Sequence, residues 1–71
     1  MYSDKLYANG ELSHIYVHCS CREKAIAVID CKEQRLELMP TRSSKIIELQ
    51  RTIAKEYEEY KAGIITKLSF A

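Results

Sequence analysis

The stretch HIYVHCSC, residues 14 to 21, contains the side chains of this chain that are best suited to metal or redox chemistry. It holds His14, His18, Cys19 and Cys21, and a third cysteine follows at Cys31. Imidazole and thiolate groups are the usual ligands of structural zinc. Thiols also form disulfides, and a thiol with a lowered pKa can act as a nucleophile. Each role requires a particular spacing, which the sequence either provides or lacks.

A zinc site needs four ligands in a tetrahedral arrangement, and two of them are usually cysteines separated by about two to four residues around a turn. The spacing here is C-x-C instead. His18 and Cys19 are adjacent on a predicted strand, so their side chains point to opposite faces. Cys21 shares the face of Cys19, which has no nearby histidine. The pattern predicts no metal and no cofactor, and a small zinc-binding domain is kept as an alternative function.

The cysteines also allow a disulfide from Cys19 or Cys21 to Cys31 across a hairpin. An odd number of cysteines leaves one thiol over, and the N-terminal stretch lacks the basic and apolar regions of a signal peptide. We therefore expect a cytoplasmic location, where thiols are kept reduced. A nucleophilic thiol would need a helix N-terminus or a positioned histidine, and the sequence shows neither. The prediction is free thiols, with Cys19 and Cys31 packed as small apolar side chains.

Length and composition indicate one small globular domain, residues 1–71. The chain is 46% apolar and 30% charged, which is too apolar for a disordered protein. A domain of this size removes only about 60% of its unfolded surface from water, so its core is thin. The longest apolar run, 25–29, is far shorter than the roughly 20 residues of a membrane span. The net charge of +1 provides no global field that would attract DNA or anionic lipid.

The N-terminal part predicts a β-hairpin centred on Asn9 and Gly10, because both central residues of a type I′ turn need positive φ. This turn would join a short strand at 5–8 to a second strand at 12–19. Alternate side chains of a strand point to opposite faces. The core face would carry Ile15, Val17 and Cys19, and the other face would carry His14, Tyr16 and His18.

The non-core face of this hairpin is a candidate interface. Aromatic side chains are enriched at protein interfaces, and the first strand adds Tyr7 near His14, Tyr16 and His18. The alternative is an ordinary solvated face of an antiparallel sheet. Both interpretations remain open at this point.

Residues 21–35 can be interpreted in two ways. Ser20 and Glu23 match a capping box, which favours a helix, but its apolar stripe would meet charged residues one turn after Ile29. The segments AIAVIDC and RLELM instead have the composition and alternation of strands, and Pro40 ends the second one. We favour two strands.

The C-terminal half predicts one long helix from 41 to 61. Its apolar stripe consists of Ile46, Leu49, Ile53, Tyr57 and Tyr60. A glycine at position 63 can end the helix in the left-handed conformation, and the alternating segment IITKLSF then predicts a last strand. The expected fold class is α+β, a small antiparallel meander of three to five strands with the helix packed on one face and a final short strand.

The charges of the helix are reversed relative to its dipole. Its start, PTRSSK, places Arg42 and Lys45 near a positive pole, and its end carries three glutamates. One explanation is an ordinary solvated face, whose packing in the fold offsets the unfavourable interaction of these charges with the helix dipole. The other is a site for an anionic partner built from Arg42, Ser43, Ser44 and Lys45. Three further basic residues are candidates for the same surface, namely Arg22, Lys24 and Arg35.

These patterns predict a non-enzymatic protein-interaction module of the adaptor or inhibitor type. No phosphate-binding glycine loop, paired carboxylates or nucleophile elbow is present in the sequence. We expect a protein partner, no membrane contact and a homodimer, because a thin core and unpaired strand edges both favour association. Nucleic-acid binding through the basic helix start is the alternative.

Overall fold

The computed structural model describes residues 1–70, which form an antiparallel meander of four strands and one helix. The elements are β1 Tyr2–Ala8, β2 Glu11–His18, β3 Ala27–Asp30, β4 Arg35–Leu38 and α1 Ser44–Lys61. The sheet order is β1-β2-β3-β4, and every neighbouring pair is antiparallel. The α+β meander with one long helix is confirmed, and the segment 21–35 contains strands rather than a helix.

The β1–β2 hairpin is longer than predicted. Its turn is formed by Asn9 (φ 54°) and Gly10 (φ 79°), as the sequence predicts. The pairing extends to Tyr2, which lies opposite His18 and stacks on its ring with a centroid distance of 5.1 Å. His18 is the last residue of β2, so the pairing runs the whole length of the hairpin. β1 therefore begins at Tyr2 instead of residue 5.

The hydrophobic core lies between one face of the sheet and α1. Val17, Ile26 and Ile53 are completely buried. The other buried apolar residues are Ile15, Cys19, Ala27, Ile29, Ile46, Tyr57 and Phe70. The predicted packing of the helix stripe against the core face of the second strand is confirmed.

The buried stripe of α1 differs from the predicted one at three positions. Gln50 is buried (6% exposed), whereas Leu49 is only partly buried and Tyr60 is 44% exposed. The helix buries residues 46, 50, 53 and 57, which recur at the spacing of one helical face. The predicted stripe is therefore rotated slightly from the observed one.

The final strand predicted at 64–70 is wrong, since residues 62–70 form turns and bends. α1 ends in a Schellman motif, in which the Gly63 N–H donates to Tyr60 O (3.2 Å) and the Ile64 N–H donates to Glu59 O (2.9 Å). This leaves Ile64 72% exposed.

The C-terminal segment packs on α1 instead of joining the sheet. The backbone N–H of Ser69 donates to Glu56 Oε1, and the Ser69 hydroxyl donates to Glu56 Oε2 at 2.9 Å. Phe70 is buried (5% exposed) and completes the core. The alternation of apolar residues in this segment therefore accompanies its packing on α1 and not the pairing of a strand.

Asp30 closes the β3–β4 turn. Its Oδ1 accepts hydrogen bonds from the backbone N–H groups of Glu33 and Lys32, each at 3.1 Å. These bonds, that of Glu33 foremost, lower the pKa of Asp30 below its usual value of 3.8. A carboxylate with a lowered pKa stabilises the fold above its unfolded pKa, and this contribution is lost as the pH falls below about 4.

We expect Asp30→Asn to make stability less sensitive to acid. The amide retains an oxygen acceptor for the turn but cannot be protonated, so the variant should lose less stability than the wild type between neutral pH and about pH 3. Urea unfolding across this pH range is the measurement. Parallel pH profiles for the two proteins would contradict this role of Asp30.

No helix within residues 1–70 is both long enough and apolar enough to cross a membrane.

Candidate functional site

The cysteine cluster forms a disulfide, so the prediction that all three thiols are free is wrong. Cys19 and Cys21 are bonded, with their Cα atoms 5.3 Å apart. The strand ends at His18, and a turn closed by the Arg22 N–H donating to Cys19 O (3.1 Å) brings the two sulfur atoms together. The sequence alone predicted Cys19 and Cys21 on one face of an extended segment, where a disulfide was possible only with Cys31.

Cys31 remains a free thiol and is half-buried. Burial raises its pKa, and the neighbouring Asp30 raises it further, so the thiol is protonated at neutral pH. Within residues 1–70 no three His, Cys, Asp or Glu side chains are arranged to hold a metal ion. The absence of zinc stays a prediction, which elemental analysis of the purified protein checks.

We expect thiol counting of the protein, unfolded without reductant, to find one reactive group, that of Cys31. Reduction before unfolding should raise the count to three, because Cys19 and Cys21 become available. Alkylation followed by mass spectrometry is the measurement. Three thiols without reduction would show that the bond does not form, and would favour the cytoplasmic location expected from the sequence.

The outer face is the side of the sheet opposite α1. Cross-strand register places on it Tyr2, Asp4, Leu6, His14, Tyr16, His18, Val28, Asp30, Arg35 and Glu37. No helix covers it among the described residues, and it includes three of the four predicted interface residues. The fourth, Tyr7, lies opposite Leu12, which packs against the core, because the β1–β2 register shifts between Leu6 and Tyr7. Tyr7 therefore belongs to the other face.

His18 is largely buried on the outer face, with 13% of its side chain exposed. Its Nε2 lies 3.2 Å from Asp4 Oδ2, and its ring stacks on Tyr2. Its Nδ1 is buried and has no hydrogen-bond partner among residues 1–70. These contacts explain His18 as part of the hairpin structure.

His14 has a similar structural role nearby. The Ser13 hydroxyl lies 2.7 Å from its Nδ1, and Asp30 Oδ2 lies 3.8 Å from its Nε2. The ring stacks on Tyr16 with a centroid distance of 6.2 Å. The two histidines are thus held on separate carboxylates and do not converge on a common ligand.

The charges of the outer face are mainly negative. It carries three carboxylates, those of Asp4, Asp30 and Glu37, and one guanidinium, that of Arg35. A surface that stacks bases must also attract the phosphate backbone. The charge of this face therefore does not favour contact with a phosphate backbone.

Four of the basic candidates belong to segments that meet at one end of the sheet. β2 and β4 end there, β3 and α1 begin there, and the Met39 N–H donates to Ile26 O (3.0 Å) across this end. The β2–β3 loop, which carries Arg22 and Lys24, is therefore a neighbour of the segment before α1, which carries Arg42. Lys45 follows as the second residue of α1. We call these four residues the basic end.

Arg35 is not part of the basic end, since it begins β4 at the opposite end of the sheet. None of the four basic-end side chains forms an ion pair with a carboxylate in residues 1–70. The first turn of α1 contains no acidic residue. Glu23 and Glu48, the carboxylates nearest to these residues in the sequence, are exposed and form no ion pair with them, so the described chain offsets the positive charge of this end only in part.

The hydroxyl groups predicted at the helix start mainly serve the helix itself. Ser43 is the N-cap, and its Oγ accepts the Ile46 N–H at 3.4 Å. Thr41 Oγ1 accepts the Ser43 N–H at 3.1 Å. Ser44 is exposed as the first residue of α1. The charges of Arg42 and Lys45 are therefore the features of this segment that remain available to a partner.

Gln50 positions the basic end, and the sequence analysis missed it. Its side-chain amide Nε2 donates to Ile26 O at 2.9 Å and to Met39 O at 2.8 Å. These carbonyls flank the loop and the segment that carry the basic residues, so Gln50 ties both to α1. The available signal was a lone amide at helical spacing between Ile46 and Ile53.

The chain matches no protein-family model, no curated protein and no solved structure.

Proposed function

We propose that this chain is a non-catalytic module that binds another protein, and that its basic end recognises an acidic surface of that partner. The observation that supports the proposal is that Arg22 and Lys24 lie in one segment, and Arg42 and Lys45 in another, and that these segments meet at one end of the sheet. No described carboxylate forms an ion pair with these four side chains.

The energetics of the helix start support an anionic partner. Placing a cation beside the positive pole of a helix costs about 0.3 to 1 kcal/mol at an exposed site. An acidic partner would offset this cost for Arg42 and Lys45. Arg22 and Lys24 would enlarge the same attractive surface and accelerate association.

Protein is favoured over nucleic acid as the partner because the positive surface is small. Four cations would give only a modest electrostatic affinity for a phosphate backbone. The aromatic residues that could stack bases lie on the outer face, where carboxylates predominate. The raised pKa of Cys31, which keeps its thiol protonated, supports a non-catalytic role.

We also propose that the chain forms a weak homodimer. Its thin core and the unpaired edge of β1 support association, and Tyr2, Leu6 and Tyr7 are exposed on that strand. Light scattering over a concentration series should give a mass that rises from monomer towards dimer. A monomeric mass at tens of micromolar would refute the homodimer without affecting the basic end.

Affinity capture from the native host tests the proposed function. The wild type should retain an acidic protein, and Arg42→Glu should reduce its recovery severalfold. Arg35→Glu is the matched control, because it reverses the same charge at the other end of the sheet, and its recovery should equal that of the wild type.

The same preparation distinguishes the nucleic-acid alternative. Short DNA and RNA should fail to bind at about 0.15 M salt. Binding that weakens steeply with salt, with a slope that Arg42→Ala lowers by about one unit, would instead identify a nucleic-acid site.

A further inference from the structure

The disulfide between Cys19 and Cys21 joins a buried residue to an exposed one. Cys19 is buried in the core (6% exposed), whereas Cys21 lies in the turn after β2 and is exposed. Only Ser20 separates the two cysteines, and it is also exposed. Cys21 is therefore the end of the bond that a dissolved molecule can approach.

This bond contributes little to the stability of the fold. The chain entropy that a disulfide removes from the unfolded state increases with the length of the loop it closes, and this loop spans only residues 19–21. Main-chain hydrogen bonds hold the same region. The Arg22 N–H donates to Cys19 O (3.1 Å), and the Ile26 N–H donates to Val17 O (2.8 Å). We therefore expect the fold to persist when the bond is broken.

The turn provides a hydrogen bond for the sulfur atom that leaves when the disulfide is broken. The backbone N–H of Cys21 donates to Cys19 Sγ at 3.4 Å. A hydrogen bond to an ionised acceptor is stronger than one to a neutral acceptor, so this N–H favours a thiolate at Cys19 over the bonded sulfur. Burial of Cys19 acts in the opposite direction, and the N–H offsets that effect. Stabilisation of the leaving thiolate accelerates thiol–disulfide exchange.

Cys31 is too distant to take part in exchange at this bond. Its N–H donates to Ser13 O (3.0 Å) near the start of β2, whereas Cys19 directly follows the end of β2. The extended chain from Ser13 to Cys19 covers about 20 Å. A thiol that breaks the bond between Cys19 and Cys21 must therefore come from another molecule.

We propose that Cys19 and Cys21 form a reversible thiol–disulfide exchange site whose co-reactant is a low-molecular-weight thiol of the glutathione type. The exposed turn gives such a thiol direct access to Cys21. The proposal does not depend on the function proposed for the basic end.

The exchange has two steps. The thiolate of the co-reactant attacks Cys21 Sγ, a bond forms between these two sulfur atoms, and the bond between Cys19 and Cys21 breaks. The electron pair of the broken bond passes to Cys19 Sγ, which takes a proton from water. A second thiolate attacks the co-reactant's sulfur in this mixed disulfide and releases Cys21 as a thiolate, which is also protonated. The protein has then gained two electrons and two protons, and two thiol molecules have become one disulfide.

Redox titration of the folded protein tests whether the bond is reversible. Cys31→Ser removes the third thiol, and this variant is equilibrated without oxygen in mixtures of reduced and oxidised glutathione. After acid quenching and alkylation, mass spectrometry should count no alkylated cysteine in the oxidised mixtures and two in the reduced mixtures, while circular dichroism remains that of the folded protein. A bond that opens only in urea would overturn the proposal, and so would thiols that stay reduced in oxidised glutathione alone.

Single-thiol variants test which sulfur atom reacts with the co-reactant. Cys19→Ala and Cys21→Ala, each combined with Cys31→Ser, leave one thiol of the pair. With oxidised glutathione, the remaining Cys21 should form a mixed disulfide at least about tenfold faster than the remaining Cys19, because a buried thiol reacts only when the structure opens locally. The two rates should become similar in urea, which is the control for intrinsic reactivity. Equal rates in the folded proteins would contradict attack at Cys21.

Discussion

Replacing Ile53 by alanine is expected to destabilise the protein by about 2 to 5 kcal/mol. Ile53 is completely buried at the centre of the helix stripe, so the substitution removes apolar contact on the sheet side and leaves a cavity. A domain of this size has a total stability of only about 4 to 10 kcal/mol. Urea or thermal unfolding should therefore show a protein that is largely unfolded or close to it at 37 °C.

Ile47→Ala is the matched control for this prediction. Ile47 is the same residue type on the same helix but is 36% exposed, so its replacement should cost less than about 1 kcal/mol. Equal stability losses for the two variants would mean that α1 does not use the stripe of Ile53 as its buried face.

Replacing Gln50 by leucine is expected to destabilise the protein by about 1 to 3 kcal/mol even though leucine is apolar and similar in size. The change removes the amide that donates to Ile26 O and Met39 O. Ile26 O still accepts a hydrogen bond from the Met39 N–H, but the partly buried Met39 O loses the hydrogen bond from Gln50. The stability loss should come with shifted amide signals in the β2–β3 loop.

Gln50→Glu tests the same contact through its pH dependence. A carboxylate facing two carbonyl oxygens favours the protonated form, so its folded pKa lies above its unfolded value. The variant should then be more stable, relative to the wild type, at pH 4 than at pH 8, because the protonated form can still donate. A constant difference between the two proteins over this range would refute the buried contact.

The meander and the helix could be predicted from the sequence because local rules determine them. Asn9 and Gly10 can adopt positive φ readily, so their position defines the first hairpin. Gly63 likewise marks the end of α1. The period of the apolar residues then distinguishes strands from helix in most of the chain.

The errors occur where a tertiary contact overrides the local pattern. The segment 64–70 alternates like a strand, but the hydrogen bonds of Ser69 to Glu56 and the burial of Phe70 in the core hold it on α1. The bond between Cys19 and Cys21 depends on where β2 ends, and strand boundaries are the least certain feature of a sequence-based reading.

Only part of the basic end could be predicted from the sequence, namely the unusual charges at the start of α1. The reversed charges at Arg42 and Lys45 were visible in the sequence as a conflict with the helix dipole. The placement of Arg22 and Lys24 at the same end of the sheet, and of Arg35 at the other end, depends on which strand ends meet. The buried amide of Gln50, which joins both segments to α1, was not among the residues predicted from the sequence.

Partner capture by the variant Arg42→Glu combined with Lys45→Glu tests the proposed recognition surface most directly. The acidic side chains suit the positive helix pole, so the variant should be at least as stable as the wild type in urea. We expect it to lose nearly all of the partner protein that the wild type retains from the native host. A variant that is equally or more stable and still captures that partner at the wild-type level would show that the basic end is only a solvated surface.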